Sequence, residues 1–504
     1  MSDEAAKDAR AEIDACIATL ERIVEDRGLL AEVDEETRQR LVKAAGLVCR
    51  PDRAALRKMA KAFRRKERDE RRRADDEVLD ATGIRTLRRA PVFVTPPALL
   101  PGTEPDAPSP RELREARKCY VCKAEFTRVH AFYDQMCEPC AELNWHKRNQ
   151  TADLRGRVAL VTGARVKIGY HAAIKLLRAG AHVVVTTRFP RDAAARYARE
   201  DDFEQWRDRL EVHGLDLRHT PSVEAFCARM LETLPRLDFI LNNACQTVRR
   251  PAGFYRHLME LEGAGHDAVA APARALLASW EEHRKARHDT LVKERTELVR
   301  DVGLVDPAAL SQLELLPEDR GQDLALFPAA KLDADLQQVD LRGRNSWRLT
   351  LAEVSSVELL EVQLVNAVAP FVLNARLKPL MLRVPTRDKH VVNVSAMEGQ
   401  FYRDHKTDKH PHTNMAKAAL NMMTRTSAAD YVKDGIHMNS VDTGWITDED
   451  PLEIASKKVE EHGFHPPLDV VDGAARIVDP IFDGVNRGEH VWGLFLKDYK
   501  PIPW

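Results

Sequence analysis

Apolar positions follow two rhythms along this chain. Ile13, Cys16, Ile17, Leu20 and Ile23 recur at three- and four-residue spacing, and Leu41, Ala44, Ala45 and Val48 repeat it, so residues 1–90 are predicted to be helical. Beyond a proline-rich stretch at 91–111 the rhythm changes to short continuous apolar runs. Val158, Ala159, Leu160 and Val161 form one, residues 181–187 a second, 238–241 a third, and 390–394, 436–441 and 490–496 the rest. Runs of this length, alternating with amphipathic segments and ending in glycine or small polar residues, predict buried parallel strands joined by crossover helices.

The stretch 157–173, RVALVTGARVKIGYHAA, sets the frame. An apolar strand enters a turn with a glycine near each end, Gly163 and Gly169, and a helix follows. That order points a helix N-terminus and free backbone N–H groups at an anion. Gly180 then breaks the helix before the second strand, completing a βαβ unit.

Taken in order, the TGARVKIG turn, Asn242-Asn243-Ala244, Asn366 on a later helix, the strand Asn393-Val394-Ser395, the segment ending in Lys417 and the Thr443-Gly444 turn resemble the short-chain dehydrogenase/reductase family. The resemblance covers about 154–248 and 351–504. It implies an α/β fold, a doubly wound Rossmann-like parallel sheet, carrying a long, mostly helical insertion. It also implies a nicotinamide cofactor held by Gly163, Arg165, Lys167, Ile168, Gly169, Arg188, Asp216, Leu217, Asn243, Ala244, Lys417, Thr443 and Gly444. Lys167 stands where the family has its middle glycine, and can contact a phosphate. Thr187 and Arg188 end the second strand without the carboxylate that NAD users place there, and a guanidinium pairs well with a 2′-phosphate, so NADP is expected over NAD.

The catalytic stations depart from the family. Asn366 and Lys417 match, but Ala396 occupies the place of the catalytic Ser, with Ser395 one residue earlier, and Thr413 that of the Tyr. An aliphatic hydroxyl is far less acidic than a phenol, so Thr413 is no like-for-like replacement. Tyr402, His412 and Asp442 are alternative proton donors; the bland reading of His412 is a loop residue. Two functions follow: an NADP-dependent oxidoreductase moving a hydride to or from a carbonyl or alcohol with a nonstandard active site, or a catalytically inactive NADP-binding scaffold or sensor.

Composition adds three points. With 504 residues, 44% hydrophobic and 31% charged, and a net charge of −2, the chain reads as a multidomain globular protein without bias towards nucleic acid or membrane. The N-terminus is charged rather than signal-like, no apolar run approaches a membrane span, and a cytoplasmic location is expected. Of eight cysteines, Cys119, Cys122, Cys137 and Cys140 form two CxxC pairs fourteen residues apart, the spacing of a structural Zn2+ site in a small module at 112–150. The basic run from Arg57 to Arg73 carries interspersed acids and reads as a solvated or partner-docking helix face. Asn242 and Asn366 are separated by far more than the family's usual gap, which implies an insertion at 250–349 near the nicotinamide end, containing a helical tract at 273–302. A lid, a substrate-shaping domain and an oligomer interface are all open for it. A homo-oligomer through late helices, and a protein or nucleic-acid partner at the N-terminal and zinc regions, complete the expectations.

Overall fold

The computed structural model describes residues 3–99, 102–103, 111–294, 306–320, 325–402, 406–463 and 465–504. Most of the expected linker between 100 and 110, and the end of the 273–302 helical tract, lie outside the described residues. The chain divides into two units, Met1–Asp76 and Glu77–Trp504.

The first unit is helical, as the spacing predicts, with helices Asp3–Glu25 and Glu35–Cys49 and most of Arg53–Asp80. Asp34 caps the second by accepting from the Thr37 N–H at 2.8 Å. Ile13, Ile17, Val24, Val42, Leu47 and Phe63 remain exposed, so the apolar stripe has no core of its own. In the basic run, Arg65–Asp69, Lys66–Glu70 and Arg72–Asp76 pair one turn apart on exposed side chains, the arrangement of a solvated face.

The second unit begins with a two-stranded antiparallel ribbon, β1 (Glu112–Lys118) and β2 (Glu125–Arg128), followed by helix Glu138–Asn149. Its main sheet has eight strands: β3 (Val158–Thr162), β4 (His182–Thr187), β5 (Leu210–Gly214), β6 (Phe239–Asn242), β7 (Lys389–Ser395), β8 (Ile436–Asp442), β9 (Phe495–Lys497) and β10 (Lys500–Ile502). Their spatial order is β5-β4-β3-β6-β7-β8-β9-β10, all parallel except β10. Every residue of β3, β7 and β8 is buried, which is why these strands read as continuous runs. Helices Lys167–Arg178 and Val470–Arg487 cover one face with Ile174, Leu177, Ile477 and Ile481, and Thr220–Thr233 and Ala369–Met381 the other with Phe226, Leu373 and Leu377. Chain order reverses between β3 and β6, which opens a crevice at their carboxyl ends.

Three features differ from expectation. Leu79 and Ile84 share a core with Leu113, Phe132, Tyr133, Val470 and Val471, so the end of the 1–90 region and the cysteine module belong to the sheet's unit. Polar contacts cement this junction. Arg148 binds Asp469 through two nitrogens at 2.6 and 2.8 Å, Lys147 binds Asp479 and Asp483, and Tyr133 donates to Asp472 at 2.6 Å.

The insertion, secondly, reaches the far edge of the sheet. Its helix Ala271–Glu294 lays Leu276, Leu277 and Trp280 into the core against β5, and Ala252–Gly263 packs on Pro190–Tyr197, because the β5 edge would otherwise stay uncovered.

Thirdly, the helical stretch Ser356–Met381, 26 residues with mean hydropathy 1.5, has the length and apolarity of a membrane span, contrary to the expectation that no run does. It lies in this fold against helix Thr220–Thr233, with Leu373, Leu377, Leu380 and Met381 fully buried and Asn366 and Asn374 within it.

Candidate functional site

The crevice at the β3/β6 switch is a cavity of about 540 Å³. Its floor is the glycine turn, and backbone geometry explains the sequence there. Gly163 has φ +66°, and a Cβ on it would fall 2.7 Å from the Ala244 Cα. A Cβ on Gly169 would fall 2.2 Å from Asn243 Nδ2 and 2.6 Å from the Gly163 carbonyl oxygen. Asn243 Nδ2 donates to the carbonyls of Thr162 and Gly163, and the Ala244 N–H donates to Thr162 Oγ1 at 3.0 Å. Asn243 therefore locks the turn, while Asn242 binds Asn374 and Asn393 beneath it.

Lys167 adopts φ +57°, the left-handed conformation a glycine would take without cost. The turn is kept although the glycine is not. Lys167 begins helix Lys167–Arg178 and lines the cavity with Ile168.

At the end of β4, Arg188 donates to the Tyr255 hydroxyl at 2.7 Å and stacks over that ring at 4.6 Å. Arg165 is committed elsewhere: it pairs with Asp192 at 2.7 Å and donates to Gln337 at 3.1 Å, so it shapes the wall. Asp216 is buried and its carboxylate is held by Arg218, whose cation pulls it below the usual carboxylate range against the cost of burial; Leu217 lines the wall beside it.

Thr443 and Gly444 are not among the walls, which begin at Ile446. Gly444 is needed for another reason, as a Cβ there would lie 2.5 Å from Leu468 and 3.2 Å from the Tyr120 hydroxyl. That hydroxyl, from inside the first CxxC pair, accepts the Trp445 N–H at 3.0 Å. The cysteine module thus holds the start of the segment that closes this side of the cavity.

The catalytic positions gather behind the cavity. Lys417, on helix Pro411–Tyr431, donates to the Val394 carbonyl at 2.8 Å at the end of β7. Ser395 and Thr413 are buried and their hydroxyls have no hydrogen-bond partner among the described residues. His412 is buried with Nε2 3.5 Å from Glu358, an ion-pair distance too long for a hydrogen bond. Asn366 lies in a π-helical turn, Leu364–Val368, and clamps Gln246 through both its backbone groups at 2.8 and 3.1 Å.

Two candidates are not brought in. Tyr402 is 87% exposed on a surface loop. Asp442 is spent on structure, accepting from the N–H groups of Met397 and Gly444, and burial pushes its carboxyl up.

None of Asn366, Ser395, His412, Thr413 or Lys417 lines the cavity; Gln246 and Val365 do. A strap at the insertion's end runs between the two regions. Asn345 donates to the Glu449 carbonyl at 2.9 Å, Arg348 pairs with Asp450, and Trp347 stacks on His410 at 3.8 Å and 6°. Sequence reasoning missed this strap, as it did the cavity residues Tyr255, Arg250 and Arg342 and the supporting Tyr120, since nothing in their local pattern marks them.

The sulfurs of Cys119, Cys122, Cys137 and Cys140 lie within 4.8 Å of one another, with Cys122 and Cys137 at 3.5 Å. Tetrahedral zinc with Zn–S near 2.3 Å sets sulfurs about 3.8 Å apart, so the donor set fits that ion. His130 faces elsewhere, its Nδ1 accepting the N–H groups of Phe132 and Tyr133.

Residues 157–257 match the short chain dehydrogenase family model, and residues 343–463 the model described as enoyl-(acyl carrier protein) reductase. The chain belongs to the short-chain dehydrogenase/reductase family. An uncharacterized protein of Acanthamoeba polyphaga mimivirus, R665, is 30% identical over 384 residues, spanning 73% of this chain and 71% of that one. Dehydrogenase/reductase SDR family member 13 of Bos taurus is 34% identical over 154 residues, 27% of this chain and 39% of the relative. A short-chain dehydrogenase/reductase structure from Burkholderia multivorans with bound NADP has 17% identity and TM-score 0.39, covering 69% of this chain and 99% of that one. In this short-chain dehydrogenase/reductase, most of the insertion falls between the two matched regions.

Proposed function

We propose that this chain binds NADP(H) in the switch-point cavity and is an oxidoreductase acting on a carbonyl or alcohol through a nonstandard active site. One observation carries the cofactor reading: the glycine turn is intact in backbone, Lys167 included, and Arg188 rather than a carboxylate stands at the end of β4. Bound NADP(H) supplies or accepts the hydride. Lys417, fixed on Val394, would orient the nicotinamide ribose, and Ser395 and Thr413 bring buried, uncommitted hydroxyls. His412 beside Glu358 is the best candidate for moving the proton, since imidazole is the side chain that ordinarily changes charge near neutrality. Substrate access would require the 345–349 strap to open.

A second reading, binding without turnover as a scaffold or sensor, is favoured by Ala396 and Thr413 and by a cavity that stops short of Lys417. Calorimetric titration with NADPH, then single-turnover absorbance with mixed aldehydes and ketones, separates the two. Consumption of bound NADPH supports the oxidoreductase; tight binding without consumption supports the scaffold; no binding sinks both.

The four-cysteine cluster is proposed to hold one structural Zn2+, which metal analysis of the purified chain would test at one equivalent. The exposed apolar positions Leu360, Phe371, Met415 and Met422 on the late helices support a homodimer, and the exposed stripe of the N-terminal unit supports a protein partner. None of the eight cysteines is in a disulfide, consistent with a cytoplasmic location.

A further inference from the structure

We propose that the insertion, and not only the family's own strand end, recognises the cofactor's 2′-phosphate, through Arg250 and Arg342. This rests on the NADP(H) reading above. Both arginines line the cavity, and both are bound to a single carboxylate, Asp340. Two cations on one anion leave one positive charge unbalanced. Arg188 adds another: its hydrogen-bond partner is the neutral Tyr255 hydroxyl, and nearby Asp216 is already held by Arg218. Because Arg218 is shared by Asp216 and Glu361, and Arg249 by Glu361 and Asp319, this end of the cavity carries a net charge of about +1, the sign that favours a phosphate monoester.

The three guanidinium groups sit on one contiguous aromatic cluster. Arg188 lies over Tyr255 at 4.6 Å, Arg250 over Phe254 at 5.0 Å and Arg342 over Phe327 at 6.0 Å. The rings meet one another, Phe189 with Tyr255 at 5.1 Å, Tyr255 with Phe254 at 5.0 Å and Phe254 with Phe327 at 6.1 Å. Stacking fixes the planar forks: Arg342 spends Nε and Nη2 on Asp340 and the Arg249 carbonyl and keeps Nη1, and Arg250 binds Asp340 through Nη1, so the remaining N–H groups are those that would donate to an oxyanion. Tyr255 accepts from Arg188 through its oxygen, so its own proton is left to donate. Across the cavity, Asp448 and Asp450 are neutralised by Lys458 and Arg348, so they do not cancel this charge.

The test is calorimetric titration of the full chain with adenosine 2′,5′-bisphosphate and with AMP, for wild type, R250Q/R342Q and R250K/R342K. The wild type should prefer the bisphosphate. The glutamine pair should lower that preference about 10- to 100-fold with AMP affinity unchanged, and the lysine pair should restore much of it. An unchanged preference in the glutamine pair overturns the insertion's role while leaving the cofactor reading intact. Equal failure of both pairs, with AMP binding lost too, makes the arginines structural and overturns it as well. If the wild type binds neither nucleotide, the cofactor reading itself falls and the proposal with it.

Discussion

Replacing Arg148 by methionine should destabilise the sheet's unit far more than any surface change. The guanidinium is 4% exposed, joined to Asp469 at 2.6 and 2.8 Å and to Asp472 at 2.9 Å, and lies 4.6 Å from the Phe132 ring centre. Those two carboxylates form the capping box of helix Val470–Arg487, a main helix on that face of the sheet. Methionine fills the volume but leaves two buried acids without their cation, a loss of about 3–5 kcal/mol at neutral pH.

The sign of the pH dependence follows from the same geometry. In the wild type, burial would raise Asp469, but Arg148 overrides it and holds the carboxyl below its ordinary value. That contribution is present above the unfolded carboxylate pKa and is lost as pH falls through the folded one. In the variant burial is opposed only by the cap N–H groups, Tyr133, Arg476 and His171, so both acids shift upward, Asp472 from a value that burial already raises, and their penalty grows as pH rises from about 4. The deficit should therefore be largest at pH 7–8 and shrink towards pH 4. Urea unfolding followed by tryptophan fluorescence at each pH measures it, with Arg155→Met, whose pair with Asp153 is fully exposed, as a control expected to show no change. A deficit under about 1 kcal/mol, or one constant from pH 4 to 8, would refute the reasoning.

Other outcomes are as specific. Gly169→Ala forces a methyl against Asn243 and a backbone oxygen, and should cost about 1–3 kcal/mol in chemical unfolding and abolish NADPH binding; normal binding would show that the turn yields. Tyr120→Phe leaves the Trp445 N–H without its acceptor, worth about 1 kcal/mol, and should weaken NADPH about fivefold without zinc loss, so equal affinity in fluorescence titration would count against the module's hold on the loop. Glu262 is buried against Asp192 and burial lifts its carboxyl to about 7, so its folded pKa exceeds the unfolded one and stability is lost as pH rises from the ordinary carboxylate range through 7. Glu262→Gln should flatten that slope, an effect on the order of 3 kcal/mol, and an unaltered pH profile of the unfolding midpoint would be contrary.

The strands, the glycine turn and the cysteine pairs were legible because their signals are local. A parallel strand covered on both faces is buried throughout, as β3, β7 and β8 are, and shows as a short run of mainly apolar residues, and two CxxC pairs need only a short ribbon to meet. Lys167 was ambiguous for a local reason too: a lysine gives no sign that its neighbours will force a glycine's backbone conformation upon it. The rest is long-range. Tyr120 is separated from Trp445 by 325 residues, and Arg249, which binds Asp319 and Glu361, joins the insertion to a later helix across gaps of 70 and 112 residues. Tyr402 shows the converse error, in which a suitable side chain at a plausible spacing points to solvent.

The parts that set this chain apart from its family bear on the cavity rather than on Lys417. The insertion supplies the aromatic and arginine wall beside Arg188, and its final strap ties Glu449 and Asp450 to His410. The cysteine module grips the opposite wall, through Tyr120 at Trp445, Gln135 at the His465 carbonyl and Arg148 at Asp469. With Thr413 and Ala396 at the phenol and serine positions and buried ion pairs around the switch-point crevice, the insertion and the cysteine module would, on the proposed reading, serve to hold the cofactor. Such rigidity lowers the entropy lost on binding and so favours tight retention. Slow NADP+ release is then the expected rate-limiting step if hydride transfer occurs.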